Sequence, residues 1–293
     1  MRGIDYAWAN PKPLPSCLKT NGVGFIMRYF SWDPAKDLTL AELTDAVAAG
    51  LTVGVVWETT ANRMLAGHSA GVTDATESDK RLKSLGMTGN PVYFACDWDA
   101  AETEQPVIHA YLDGAASVIS RESTGMYGGY WPVKRAFDAG KITFGWQTYA
   151  WSGGNWDTRA QLRQVQNDVT VCGTPSDWDE SRATDFGQYP RPGTTPPVPP
   201  VVKPPPFPYP AADYLGTESA DPHCHSGYHA ADRPNITTWQ SKMSARGWTI
   251  SADGRFGPQS DGVCRQFQAE KHLTVDGKVG PQTWAATWTA PVT

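Results

Sequence analysis

The sequence predicts an α/β fold, a (β/α)8 TIM-like barrel, followed by a small all-α domain. Three observations predict it. Short apolar runs alternate with helix-patterned segments up to residue 189. A proline-rich stretch, RPGTTPPVPPVVKPPPFPYP at 191–210, then interrupts both patterns. Beyond it the chain is too short for a second large domain but long enough for a binding module. The expected organisation is a barrel over 1–189, a linker over 190–212 and a small domain over 213–293. The prolines of the linker forbid helix and central strand and favour an extended polyproline II rod.

Eight strand candidates follow in order: GIDYAW (3–8), GFIMRYF (24–30), TVGVVWE (52–58), PVYFACDWD (91–99), TGMYGGY (124–130), FGWQTYA (144–150), LRQVQND (162–168) and DWDES (177–181). Between them LTLAELTDAVAAG (38–50) has apolar spacings of three and four and a closing glycine, as a helix should. Segments 74–85 and 103–120 read the same way, whereas helices fade after residue 140. Alternating strand and helix implies a parallel sheet, and eight strands suggest closure. An open doubly wound sheet is the alternative, but no glycine-rich phosphate loop follows the first strand.

In the small domain DGRFGPQS (253–260) and DGKVGPQT (276–283) form a near-repeat. Each Asp-Gly makes a tight turn and each Gly-Pro opens a helix. Trp239 with Met243, and Val263 with Phe267, lie one turn apart, so a compact helical bundle is expected.

Composition narrows the partners. The chain has 293 residues, 40% hydrophobic content and 13 Trp, enough to build cores, and its net charge of −5 argues against nucleic acid as a partner. No apolar run reaches membrane-spanning length, so no membrane insertion is expected. Met1-Arg2 leads into GIDYAW without an apolar leader, which predicts a protein made in the cytoplasm without a signal peptide. Five cysteines, an odd number, do not form a disulfide framework, and Cys96 falls on the apolar face of its strand as core.

In such a barrel, reactive side chains come from the C-terminal ends of several strands. Those ends supply Asp5, Glu58, Asp97, Asp99, Tyr127, Gln147, Gln166, and Asp177 with Asp179. In an extended strand Asp97 and Asp99 share one face. Trp98 and Trp146 belong to the aromatic supply that stacks on sugar rings. Histidine is nearly absent from 1–189, which weighs against a Ser-His-Asp hydrolase or a His-rich zinc site. Glycoside hydrolysis needs one protonated carboxyl and a second carboxylate, and crowded acids raise one another's pKa. A divalent-cation site or a solvated rim is the alternative use of such a cluster.

GIDYAW, the Asp-Trp-Asp strand end, MYGGY and DWDES, in that order, resemble the barrels related to glycoside hydrolase family 25, the lysozyme-type muramidases. The resemblance implies that Asp5 matches the family's first-strand Asp, Asp97-Trp98-Asp99 its Asp-x-Glu, and Asp177 its late strand-end Asp. The family's proton-donating Glu is replaced by Asp99, one methylene shorter, and Glu58 on the neighbouring strand is a second candidate for the acid. Residues 235–288, above all VDGKVGPQTW (275–284), resemble the peptidoglycan-binding domain of cell-wall hydrolases.

Together these resemblances imply a bacteriophage endolysin, expected as a monomer. It would cleave the glycan of peptidoglycan at the cell wall without cofactor or metal. Asp99 is the expected acid, Asp97 and Asp5 its partners, and Asp177, Tyr127, Gln147, Gln166, Trp98 and Trp146 the expected substrate contacts. DPHCHSGYHAAD (221–232) keeps a zinc amidase or peptidase open as a rival, and the Asp-for-Glu change keeps open an inactive wall-binding protein. In the small domain either a Cys224–Cys264 disulfide or two reduced cysteines is expected.

Overall fold

The computed structural model describes residues 1–8, 11–192, 204–271 and 273–290. The chain forms two compact units that divide at about residue 200. The expected polyproline rod falls largely on 193–203, outside the described residues.

The first unit is a closed eight-stranded barrel. Its strands are β1 (Arg2–Asp5), β2 (Phe25–Phe30), β3 (Thr52–Trp57), β4 (Val92–Ala95), β5 (Thr124–Gly128), β6 (Phe144–Thr148), β7 (Leu162–Val171) and β8 (Thr174–Ser181). All eight candidate runs are strands. Interleaved are α1 (Pro15–Thr20), α2 (Leu40–Ala48), α3 (Gly67–Ser84), α4 (Gln105–Ile119) and α5 (Tyr130–Asp138).

Strand alternation builds two cores. From β2, Phe25, Met27 and Tyr29 join the cluster inside the barrel, with Tyr93, Phe144 and Trp146. The intervening Ile26 and Phe30 belong to the core between barrel and helices. The interior aromatics fit because glycine stands opposite them: a Cβ on Gly3 would lie 2.4 Å from the Phe25 ring. Arg28, also on the outer face and fully buried, is held by Glu42 of α2 at 2.6 Å. Removing either partner would leave the other charge buried and unpaired.

α2 begins where the side chain of Thr39 accepts from the Glu42 amide at 3.2 Å, a capping interaction its sequence encodes. α3 starts at Gly67, well before the predicted 74–85. Its first turns carry small residues in place of an apolar stripe, because α4 crosses in backbone contact: a Cβ on Gly71 would sit 2.0 Å from the Tyr111 carbonyl oxygen.

The all-parallel sheet expected from the alternation is corrected at the closure. β1 to β7 run parallel, but β8 is antiparallel to both β7 and β1. Only Cys172 and Gly173 separate β7 from β8, and a parallel crossover needs a dozen residues or more. Both have positive φ, 54° and 82°, which a tight hairpin turn requires. A disulfide from Cys17 of α1 to Cys172 ties this turn down.

The second unit contains α6 (Arg233–Ala245), α7 (Pro258–Glu270) and α8 (Pro281–Thr289), with the short paired strands β9 (Tyr214–Leu215) and β10 (Cys224–His225). Trp239, Met243, Phe256, Phe267 and Trp284 form its core. A buried glutamine holds each repeat. Gln268 donates to Asp276, the Lys278 carbonyl and Thr283, and accepts from the Asp276 and Gly277 amides. Gln240 holds Asp253, the Arg255 carbonyl, Ser260 and the Gly254 amide in the same manner. Cys224 and Cys264 are not bridged. Cys264 is buried among the helices, its thiol pushed up to about 12 by desolvation, and Cys224 donates to the Thr217 carbonyl at 3.2 Å. Of the two expectations for this pair the reduced cysteines hold, and a disulfide is found in the barrel unit instead, Cys17–Cys172.

Candidate active site

The acids gather where β1 meets β8. Asp5 ends β1 and pairs in register with Asp177, while Asp179 pairs with Gly3 one layer deeper. Asp5 is 2% exposed. Its Oδ1 accepts from the Tyr29 hydroxyl at 2.8 Å and its Oδ2 from Gln164 Nε2 at 2.9 Å. The same Gln164 nitrogen donates to Asp177 at 3.0 Å, so the two carboxylates are bridged by one amide. Gln164 Oε1 accepts from the Tyr127 hydroxyl at 2.9 Å, which fixes the amide's orientation. Asp177 accepts in addition from the Asp168 backbone at 2.9 Å.

Burial and the neighbouring Asp177 raise Asp5 from 3.8 to about 7, against the lowering pull of Gln164, Tyr29 and Asp179. Asp179 is fully buried, and desolvation followed by the charge of Asp5 holds it well above the ordinary range. Trp146 Nε1 donates to its Oδ1 at 2.9 Å, while its Oδ2 has no partner other than Asp5. If both acids were ionised, nothing would lie between them. Burial and the charge of Asp5 both favour a proton on Asp179, which relieves the conflict.

A pocket of about 220 Å³ opens over these acids, lined by Asp5, Tyr6, Trp8, Tyr29, Ser176 and Asp177 among others. Trp8 is 54% exposed beside it. Asp97 is half-buried, raised by desolvation and then by Glu58 and Asp177, and lowered by Lys36. Lys36 holds Glu58 at 2.9 Å.

The structure thus groups Asp5, Asp97, Glu58, Asp177 and Tyr127 of the predicted residues. It places the others elsewhere. β4 ends at Ala95, so Asp97 and Asp99 do not share a strand face. Asp99 is exposed and enters no described hydrogen bond or ion pair of the cluster. Trp98 packs on the outer core and donates to Glu104 at 3.0 Å, closing the turn that leads to α4. Trp146 is buried beneath the pocket against Asp179. Gln147 is spent on the loop after β6, donating to Ser152 and Asn155 and accepting from the Asp157 amide. Gln166 is exposed beyond a register shift in β7, and Gln164 takes the place expected of it.

Gln164 and Tyr29 were not singled out from sequence. Both lie on the strand face that carries the interior residues, Tyr29 two positions from Met27 and Gln164 two from Leu162, so strand parity would have found them. Among the described residues no group of three or more His, Cys, Asp or Glu side chains is arranged to hold a metal ion. In the histidine-rich segment, Asp213 and Asp232 occupy the two ring nitrogens of His225 at 3.1 and 2.9 Å.

Residues 16–182 match the family described as Rv2525c-like, glycoside hydrolase-like domain, and residues 232–286 match the putative peptidoglycan binding domain. Among solved structures the chain is similar to the Tat-secreted protein Rv2525c of Mycobacterium tuberculosis in complex with L-tartrate. That likeness has TM-score 0.60 and 26% identity over 64% of this chain and 98% of that one. The same protein in complex with HEPES gives 0.59 and 24% over the same shares. A family 25 glycosyl hydrolase from Bacillus anthracis matches at TM-score 0.44 and 12% identity, covering 62% of this chain and 89% of that one, too distant to carry activity across. No curated protein matches the chain.

Proposed function

Because the chain belongs to the family of Rv2525c-like, glycoside hydrolase-like domains, we propose that its barrel hydrolyses the glycan strand of bacterial peptidoglycan, as an N-acetylmuramidase. The segment 232–286 supports the choice of substrate through its match to a peptidoglycan-binding domain. One observation carries the proposal: Asp5, on the floor of an open pocket and bridged to Asp177, is raised to about 7.

A carboxyl with that pKa keeps a proton near neutral pH and can give it to a glycosidic oxygen. Asp177 then supplies the carboxylate that stabilises an oxocarbenium-like centre or activates water. Tyr29 and Gln164 orient the acid. The burial that favours a proton on Asp179 keeps a second negative charge out of the floor. Asp97 and Glu58 add negative potential on the β3–β4 side, where positive charge on the sugar is favoured. Asp99, the position that corresponds to the acid of the resembled family, stands on the rim and contacts substrate.

The union of such a barrel with a wall-binding segment further supports a lytic role, that of a bacteriophage endolysin made in the host cytoplasm and acting at the wall. The second reading is a wall-binding protein without hydrolysis, favoured by the shorter, exposed Asp99. Digestion of purified peptidoglycan, followed by mass spectrometry for new reducing sugar ends, separates them. Asp5→Asn is expected to lower release by about 100-fold or more, and Asp99→Asn by far less. Loss with Asp99→Asn and retention with Asp5→Asn would reassign the acid. Wall binding by the wild type without any sugar release would leave the second reading.

A further inference from the structure

We propose that the Cys17–Cys172 disulfide is a thiol-sensitive latch on one wall of the pocket over Asp5. Closed, it holds that wall in place; reduced, it lets the wall move and slows the pocket's chemistry. The wall is the outer part of the β7–β8 hairpin. β6 pairs with β7 only over 162–164, and β1 with β8 only over 177–180. Residues 165–176 therefore form an arm whose two strands have only each other as neighbours. Asp168, Pro175 and Ser176 line the pocket from this arm, and Asp177 stands at its root.

The arm is jointed at one end and tied at the other. At the joint the ladder is irregular on both sides of Gln166, and Asp168 has a positive φ of 57°. The Asp168 amide donates to Asp177 Oδ1 at 2.9 Å, so movement of the joint moves the carboxylate paired with Asp5. At the tip Cys172 is bonded to Cys17 of α1, 155 residues away in sequence. Besides that bond, Thr174 Oγ1 donates to the Pro11 carbonyl at 2.6 Å, and Val171 and Thr174 are buried. A two-stranded ribbon is marginal by itself, so the covalent tie at its tip sets how rarely the arm opens. Both cysteines are half-buried, and the exposed Asn21 lies 3.6 Å from each sulfur, so the bond sits near the surface, where a small thiol reaches it.

Closure is thiol–disulfide exchange. The Cys17 thiolate attacks a small disulfide such as oxidised glutathione and expels one glutathione thiolate. The Cys172 thiolate then attacks the Cys17 sulfur of the mixed disulfide and expels the second. Two electrons pass from the cysteines to the small disulfide, and the two protons the cysteines lose end on the two released thiols. A dithiol such as dithiothreitol drives the reverse. This regulation rests on the proposal that the barrel works on the glycan of the wall. On that reading the chain is made in a reducing compartment and acts in an oxidising one, so the latch closes only after release.

The test holds the full-length protein in dithiothreitol or in oxidised glutathione and reads the state of the cysteine pair by mass spectrometry of its peptides. Amide exchange and sugar release from peptidoglycan are measured in both states, well below the melting temperature. Reduction is expected to speed exchange in the arm at least about tenfold while β1 to β6 stay protected. It should also lower kcat/KM for sugar release about tenfold. Reoxidation should restore both in the wild type and in Cys224→Ser, which lacks the half-buried free thiol. Cys17→Ser should behave as the reduced wild type in either buffer.

Three results overturn the proposal: a disulfide that dithiothreitol does not reduce in the folded protein, sugar release equal in both states, or exchange that rises across the whole barrel, the mark of a structural staple. If neither state releases sugar, exchange alone decides. An arm loosened by reduction then keeps the latch and removes the hydrolase, and an arm left unchanged removes the latch.

Discussion

Asp5→Asn should stabilise the protein while it disables the pocket, and the stabilisation should depend on pH in a defined way. Folding raises Asp5 from 3.8 to about 7. Its ionisation in the folded state is therefore disfavoured by on the order of 4 kcal/mol. The sign follows from linkage. Below about pH 3.8 the group is protonated whether folded or not, and its environment costs nothing. As pH rises from there to about 7, the unfolded chain loses the proton first, and stability falls. Above about 7 the loss is complete and constant.

Asparagine has no such transition. Its oxygen can accept from Gln164 in place of Oδ2, and its nitrogen then faces the Tyr29 hydroxyl, which can turn to accept. The variant and the wild type should be nearly equal in denaturant at pH 4. They should separate through pH 5 and 6, and differ by a few kcal/mol in favour of the variant at pH 8. Urea melts at four pH values measure this directly. A difference that is flat with pH, or a variant less stable at pH 8 than at pH 4 relative to wild type, would refute the buried-acid reasoning.

The remaining expectations are narrower. If Asp5 is the acid, kcat/KM for glycan cleavage should fall as pH rises through about 7, and that limb should vanish with Asp5→Asn along with the activity. Cys17→Ser should lower the melting temperature of the barrel, because the disulfide closes a separation of 155 residues, with a loss of about 2–4 kcal/mol; thermal scans with and without reductant should coincide for the variant only. Gln268→Leu leaves the turn amides of Asp276 and Gly277 and the acceptors they oppose unmet, so it should cost about 3 kcal/mol or more and abolish wall binding while leaving the barrel's melt unchanged.

Strands β1 to β6 were legible because each carries buried residues on both faces, so few polar residues interrupt them, whereas β7 and β8 are half-buried or exposed along much of their length and read as polar runs. What pattern could not reveal was decided by contact. The start of α3 is hidden because a helix packed through Gly71 and Gly114 has no apolar stripe to show. Gln147 and Gln164 are alike in sequence, each near the end of a strand and beside apolar residues. Only strand parity separates the one that holds a loop from the one that bridges two acids. Trp146 looked available for stacking and is instead a hydrogen-bond donor in the barrel floor. The cysteine pairing was missed because Cys17 and Cys172 are brought together by barrel closure, which no local spacing encodes.

The reversed eighth strand explains how the acids come to be stacked. A rule that takes reactive residues from the C-terminal ends of strands assumes that every strand points at the mouth. β8 points away, so its C-terminal end, at Ser181, lies beside Met1 at the barrel's other rim. Asp177 reaches the mouth only because it lies nearer the N-terminal end of the strand, level with Asp5. The same reversal carries Asp179 two positions deeper on the same face, against Trp146 and below Asp5. A parallel β8 with the same Asp-Trp-Asp would put the second acid above the first, toward solvent, where it would ionise freely. Running backwards, it buries that acid under Asp5, where desolvation favours its protonated form. The two-residue turn at Cys172–Gly173 is therefore the local feature that sets the order of the acids. Lengthening it enough to free the hairpin register should release Asp179 to solvent before it disturbs the other seven strands.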